Sequence, residues 1–70
     1  MLGVTSRRTY EISVTGRLGE LASAFEPHPV RSEGSLSVVR VEHVDQGTLF
    51  GLIGLVQELG LELREVRLAS

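Results

Sequence analysis

The chain has 70 residues, a formal net charge of -2 and a hydrophobic content of 41%. It contains no Cys, Trp or Lys, which excludes disulfide staples, a thiol nucleophile, a cysteine-ligated metal and a phosphate loop ending in Lys. The weak negative charge argues against a protein that lives on phosphate backbones, and the hydrophobic content is too high for a disordered chain.

No apolar run approaches the ~20 residues of a membrane span, and the start does not resemble a signal peptide. A cytoplasmic, bacterial protein is therefore expected; the absence of Lys and Asn beside abundant Arg, Gly, Leu and Val fits a GC-rich gene. A domain of this size buries only about 60% of its unfolded surface. Without staples, oligomerisation is the most accessible source of further stability.

Residues 1–8 read as a loose N-terminal segment and residues 9–70 as a single domain. From Arg8 to Thr15 the pattern alternates: Tyr10, Ile12 and Val14 point one way, Glu11, Ser13 and Thr15 the other. That spacing predicts a strand buried on one face. Gly16 breaks it. Leu18, Leu21, Ala22 and Phe25 then form a helical stripe, with Thr15 as a candidate cap and a stop near Glu26 before Pro27 and Pro29.

A short edge strand is expected at Pro29 to Ser32, then a turn at Glu33-Gly34. Ser35 to Val44 reads as a strand whose phase is mixed, since Leu36 and Val38 oppose Val39 and Val41. Either both faces are partly buried or a bulge shifts the phase. Asp45 is the candidate cap of a helix from Gln46 to Leu59, with Leu49, Leu52, Ile53, Val56 and Leu59 as its core stripe and Gly60 as its left-handed stop. Leu61 to Ala69 forms the last strand. Its phase slips at Arg64 and Glu65, which predicts a bulge, and its alternating charges suit a sheet edge. The order β-α-β-β-α-β, with right-handed crossovers, predicts a ferredoxin-like α+β sandwich with both helices on one face of an antiparallel sheet.

The run Val14-Thr-Gly-Arg-Leu-Gly-Glu-Leu21 resembles the first strand-to-helix turn of ACT domains, small ligand-binding regulatory modules with this element order. Arg17, Gly19 and Leu21 match that turn; Gly16 stands where the family has Asp or Asn, and Leu18 where it has Pro. The resemblance implies a small ligand, often an amino acid, approaching the backbone at Gly16 and Gly19. The plainer reading is that both glycines make a tight turn into a helix.

Catalytic chemistry finds little support. With the hairpin folded at Glu33-Gly34, His28 falls across from about Val39, and His43 lies roughly 13 Å further along at ~3.3 Å per residue. An intrachain metal site is not expected. Glu11, Glu42, Glu62 and Glu65 alternate with apolar residues and read as solvated surface. The only aromatics are Tyr10, Phe25 and Phe50, too few for an RNA-binding sheet. No cofactor is implied.

The second helix is unusual. Gly47, Gly51 and Gly54 fall opposite its core stripe, flanked by Phe50 and Leu55. Each helical Gly costs about 1 kcal/mol relative to Ala, so the outer face asks for a reason. Close packing against another chain supplies one, with Phe50, Gly51, Gly54 and Leu55 as interface residues. The alternative is that Gly47 belongs to the cap and that Gly51 and Gly54 are drift. The expected function is a small non-catalytic interaction or regulatory module, partnered by itself or another protein and binding a small molecule at the first turn, without nucleic acid or membrane. The competing expectation is a small dimeric α+β-barrel-type enzyme using Tyr10, His28 or His43 in a pocket between sheet and helices.

Overall fold

The computed structural model describes residues 6–70. The loose terminus expected for residues 1–8 therefore lies mostly outside the described residues, and Arg8 already opens the first strand. The elements are β1 (Arg8–Thr15), a 3-10 helix (Gly19–Phe25), β2 (Val30–Glu33), β3 (Leu36–Val44), α1 (Gln46–Glu58) and β4 (Leu63–Leu68). The four strands form one antiparallel sheet in the order β2-β3-β1-β4. The described residues form a small α+β fold with two helical segments, only one of which is an α-helix.

The first helical segment departs from expectation. Its N-cap is Leu18, without a side-chain cap bond, so Thr15 does not cap it but ends β1. Gly19 enters with φ 56, and the Ser23 hydroxyl donates to the Glu20 carbonyl at 3.0 Å. A 3-10 helix has about 3.0 residues per turn, so residues i and i+3 eclipse. Gly19, Ala22 and Phe25 therefore align. Phe25 is fully buried and Ala22 packs partly against the core, while Leu21 swings out and is 39% exposed.

The core joins Ile12 and Val14 of β1, Val39, Val41 and Val44 of β3, Leu49 and Val56 of α1, and Leu18 and Phe25. Two bulges let the strands serve it. On β3 the pairing moves from Tyr10↔Val41 to Arg8↔Val44, so one extra residue is accommodated at Glu42–His43, where His43 has φ 53. That bulge brings Val44 to the core side three positions after Val41. On β4 the pairing moves from Ser13↔Glu65 to Val14↔Leu63 and leaves Arg64 as the extra residue. The phase slip at Arg64 is thus a bulge. On β3 both sequence alternatives hold together: Val38 is buried on the face opposite Val39, and a bulge follows nearer the strand end.

The ends of α1 follow the sequence closely. Asp45 is the N-cap and accepts from the Thr48 N–H at 2.8 Å. At the other end Gly60 takes φ 75. Its N–H donates to the Gln57 carbonyl at 3.0 Å, and the Leu61 N–H donates to the Val56 carbonyl at 3.1 Å. These two bonds make the closing motif that a left-handed residue permits. The helix packs against β1, β3 and β4.

Candidate functional site

The sheet face turned away from the core holds a charged centre. Glu11 sits in the middle of β1, directly opposite Arg40 on β3 and Arg67 on β4. Its side chain is only 6% exposed. Arg31 of β2 reaches it with a two-pronged contact, Nη1 to Oε2 at 2.8 Å and Nη2 to Oε1 at 3.2 Å. Arg40 Nη1 donates to Oε2 at 3.1 Å and Arg67 Nη2 to Oε1 at 2.6 Å. Each oxygen thus accepts two bonds, which fills the roughly four acceptor sites of a carboxylate. The Arg31 and Arg67 hydrogen bonds hold the Glu11 carboxyl down from 4.5 to about 2, against the opposing effect of desolvation. The same contacts raise the pKa of Arg31 and Arg67.

That arrangement decides its chemistry. A carboxylate so saturated and so acidic has neither a free lone pair nor the basicity for proton transfer near neutral pH. It acts as a knot between all four strands. The reading of Glu11 as solvated surface is therefore corrected: it is buried beneath three arginine side chains. Thr9, Ser13 and Val38 on the same face are buried as well. A signal for this was present, because a central strand has neighbours on both sides and its outward residue is covered by theirs. Knowing which arginines cover it requires the register, which the sequence pattern leaves open.

The glycine turn is only partly free. Gly16 has φ 89 and Gly19 has φ 56, and a side chain at either would meet nothing within 4 Å. Both backbone polar groups of Gly16 are engaged within the chain: its N–H donates to the Ser35 carbonyl at 2.7 Å. Its carbonyl accepts from the buried Ser37 hydroxyl at 2.6 Å. Gly19 is exposed. The glycine pair therefore offers a ligand at most one of its two members.

The outer face of α1 is open. Gly51 is exposed, Gly54 is half-buried, and an added Cβ at either meets nothing within 4 Å. Nothing among the described residues requires these positions to be small. Phe50 is 61% exposed, whereas Leu55 packs partly against the core. The turn at Gly16–Gly19 and this helix face belong to different elements, although Leu18 of the turn and Leu55 of the helix share one core.

The two histidines are placed differently from the hairpin estimate. Val30, not His28, pairs with Val39. His28 is half-buried just before β2, and His43 is exposed on the β3 bulge. Among the described residues no group of three or more His, Cys, Asp or Glu is arranged to hold a metal. A cavity of about 160 Å³ lies beside β2, lined by Pro29, Val30, Arg31, Val38 and Arg40. Its lining includes neither histidine and no carboxylate. No helix among the described residues is long and apolar enough to cross a membrane.

Residues 9–67 match a family model described as Domain of unknown function (DUF8691), a span that contains Glu11 and its three arginines together with all of α1. No curated protein and no solved structure matches the chain.

Proposed function

We propose that this chain, which belongs to the DUF8691 family of unknown function, is a small non-catalytic interaction and regulatory module that works as a homo-oligomer through the outer face of α1. One observation carries the reading. From Gly47 to Val56 the helix has no charged side chain, although Gly47, Thr48, Phe50 and Gly51 are all exposed. A surface helix of a monomer ordinarily carries charge on its outer side, and one that is apolar all round is ordinarily covered. Open glycines let a second helix approach closely, and Phe50 and Leu55 supply apolar area beside them.

Two finer features belong to the same proposal. The architecture is ferredoxin-like, with the 3-10 helix standing in for the first α-helix; support comes from both helical segments contributing to one core beside a four-stranded antiparallel sheet. A small ligand such as an amino acid would meet the ACT-like turn at Gly19, which is exposed where the 3-10 helix begins.

Light scattering on the full chain tests the proposal. The expected mass is a multiple of 7.6 kDa, and it falls when Gly51 and Gly54 are both replaced by Leu. A double variant of unchanged mass that is merely more stable would overturn it. Repeating the measurement with a panel of amino acids asks whether the turn takes a ligand; a Gly19→Val variant that responds identically removes Gly19 from the reading.

A further inference from the structure

We infer that β4 is a second self-association edge, at which two copies pair antiparallel about a two-fold axis through Val66 and extend the sheet from four strands to eight. This surface is separate from the outer face of α1. Sheet edges present unpaired N–H and C=O groups, and proteins ordinarily blunt them. Of the two edges here, β2 is blunted. It is four residues long, Pro29 precedes it, and Arg31 and Glu33 neutralise each other at 2.7 Å. β4 is longer, and its core-side residues Val66 and Leu68 stand 37% and 51% exposed.

The backbone of β4 points the right way. The Thr15 N–H donates to the Glu62 carbonyl at 3.0 Å, and the Ala69 N–H donates to the Thr9 carbonyl at 2.8 Å. Odd-numbered residues of β1 thus direct their backbone groups toward β4. Antiparallel ladders alternate bonded and non-bonded pairs. Val66 and Leu68, opposite Ile12 and Tyr10, therefore turn their N–H and C=O groups outward to the free edge.

Charge then selects one register. A two-fold axis normal to the sheet opposes only residues that share a face, so it passes through a residue. Placed at Glu65 it sets two carboxylates against each other; placed at Arg67 it sets two guanidiniums against each other. Placed at Val66 it opposes Val66 to its copy and Glu65 to the second copy's Arg67, on both sides of the axis. Opposite charges directly across strands stabilise pairing and like charges oppose it. Glu65 makes no ion pair among the described residues, so this pairing gives it a partner. The alternating charges of β4 thus oppose the registers centred on Glu65 and Arg67, while one centred on Leu68 gains no charge pair, so one isologous contact is favoured.

The absence of Cys makes the register testable in the full chain. Directly opposed residues in a bonded pair have Cα atoms about 5.5 Å apart, within the range a disulfide spans. Val66→Cys should form a covalent dimer on mild oxidation. Leu68→Cys should not, because its two copies lie roughly 14 Å apart along the strands at ~3.4 Å per residue. Val66→Pro removes the outward N–H and should lower the mass at a given concentration while leaving the circular dichroism spectrum unchanged. Equal crosslinking of Val66→Cys and Leu68→Cys, or none by either, would overturn the inference even where Val66→Pro fails to fold. Dissociation by the Gly51, Gly54 double Leu variant without crosslinking at Val66→Cys would overturn the β4 edge and leave the α1 reading standing. Crosslinking at Val66→Cys with no effect of the double Leu variant would do the reverse.

Discussion

Glu11 concentrates the polar design of this chain in one side chain. Unfolded, its carboxyl titrates near its ordinary value of 4.5; folded, its arginine bonds lower that to about 2. Between these values the unfolded state binds more protons, so acid favours unfolding. The stabilisation is fully present above about pH 4.5 and is lost as the pH falls toward 2. Glu11→Gln should lower the unfolding midpoint at neutral pH and flatten the acid limb over that window. Thermal melts between pH 2 and pH 7 check both, and an acid limb of unchanged slope would show that Glu11 is not the titrating group. His43 carries a different strain. Its φ of 53 lies in the left-handed region, which disfavours an L side chain by roughly 1–2 kcal/mol. His43→Gly should recover up to about 1 kcal/mol in urea unfolding, because glycine enters that region freely. Neither property could be read before the fold was known. Alternation marked Glu11 as outward-facing, and it is; that its neighbours' side chains roof it depends on three strand partners at once.

At the scale of elements, what is legible depends on which force shapes each segment. α1 is long enough for its apolar period, its Asp45 cap and its Gly60 stop to agree, and the structure has the helix from Gln46 to Glu58. β1 has clean alternation, and its bounds agree as well. The bulge in β4 was readable because the phase slip itself is the sequence trace of an extra residue. The 3-10 helix was not, since the spacing of Leu18, Leu21, Ala22 and Phe25 fits an α-helical stripe better than the tighter winding, which aligns Ala22 with Phe25 and turns Leu21 away. Only packing decides, and it seats Phe25 in the core while leaving Leu21 out. Phe25→Ala should therefore cost about 3–5 kcal/mol, as for other large buried aromatics, whereas Leu21→Ala should fall within the ordinary range for a surface change. On α1, Gly51→Ala and Gly54→Ala should each stabilise the isolated chain by about 1 kcal/mol, because the added methyl meets nothing within 4 Å among the described residues. Urea unfolding at low chain concentration measures that gain. A loss instead would mean that the helix backbone needs these glycines for its own geometry.

For the whole molecule, small size and exposed apolar surface belong to the same problem. A chain of 70 residues leaves Phe50, Val66 and Leu68 at 61%, 37% and 51% exposure, on the very elements where self-association is proposed. If folding and association are coupled, stability depends on concentration by mass action. A tenfold rise in chain concentration then adds about 1.4 kcal/mol per dimer. Unfolding entropy near 60 °C is about 2.1 cal/mol/K per residue, and two chains unfold together. The melting temperature of a coupled dimer should rise by roughly 5 °C for each tenfold increase in concentration. A folded monomer shows no such slope. Calorimetry across a hundredfold range of concentration separates the two, and the variants assign the slope. Val66→Pro abolishes it if the β4 edge dominates, and the double Leu variant on α1 abolishes it if the helix face dominates. If both contacts contribute, each variant should reduce the slope and only their combination remove it. A melting temperature that holds constant for the wild-type chain over that range would mean that this small core stands alone, and both surfaces would lose their proposed role in its stability.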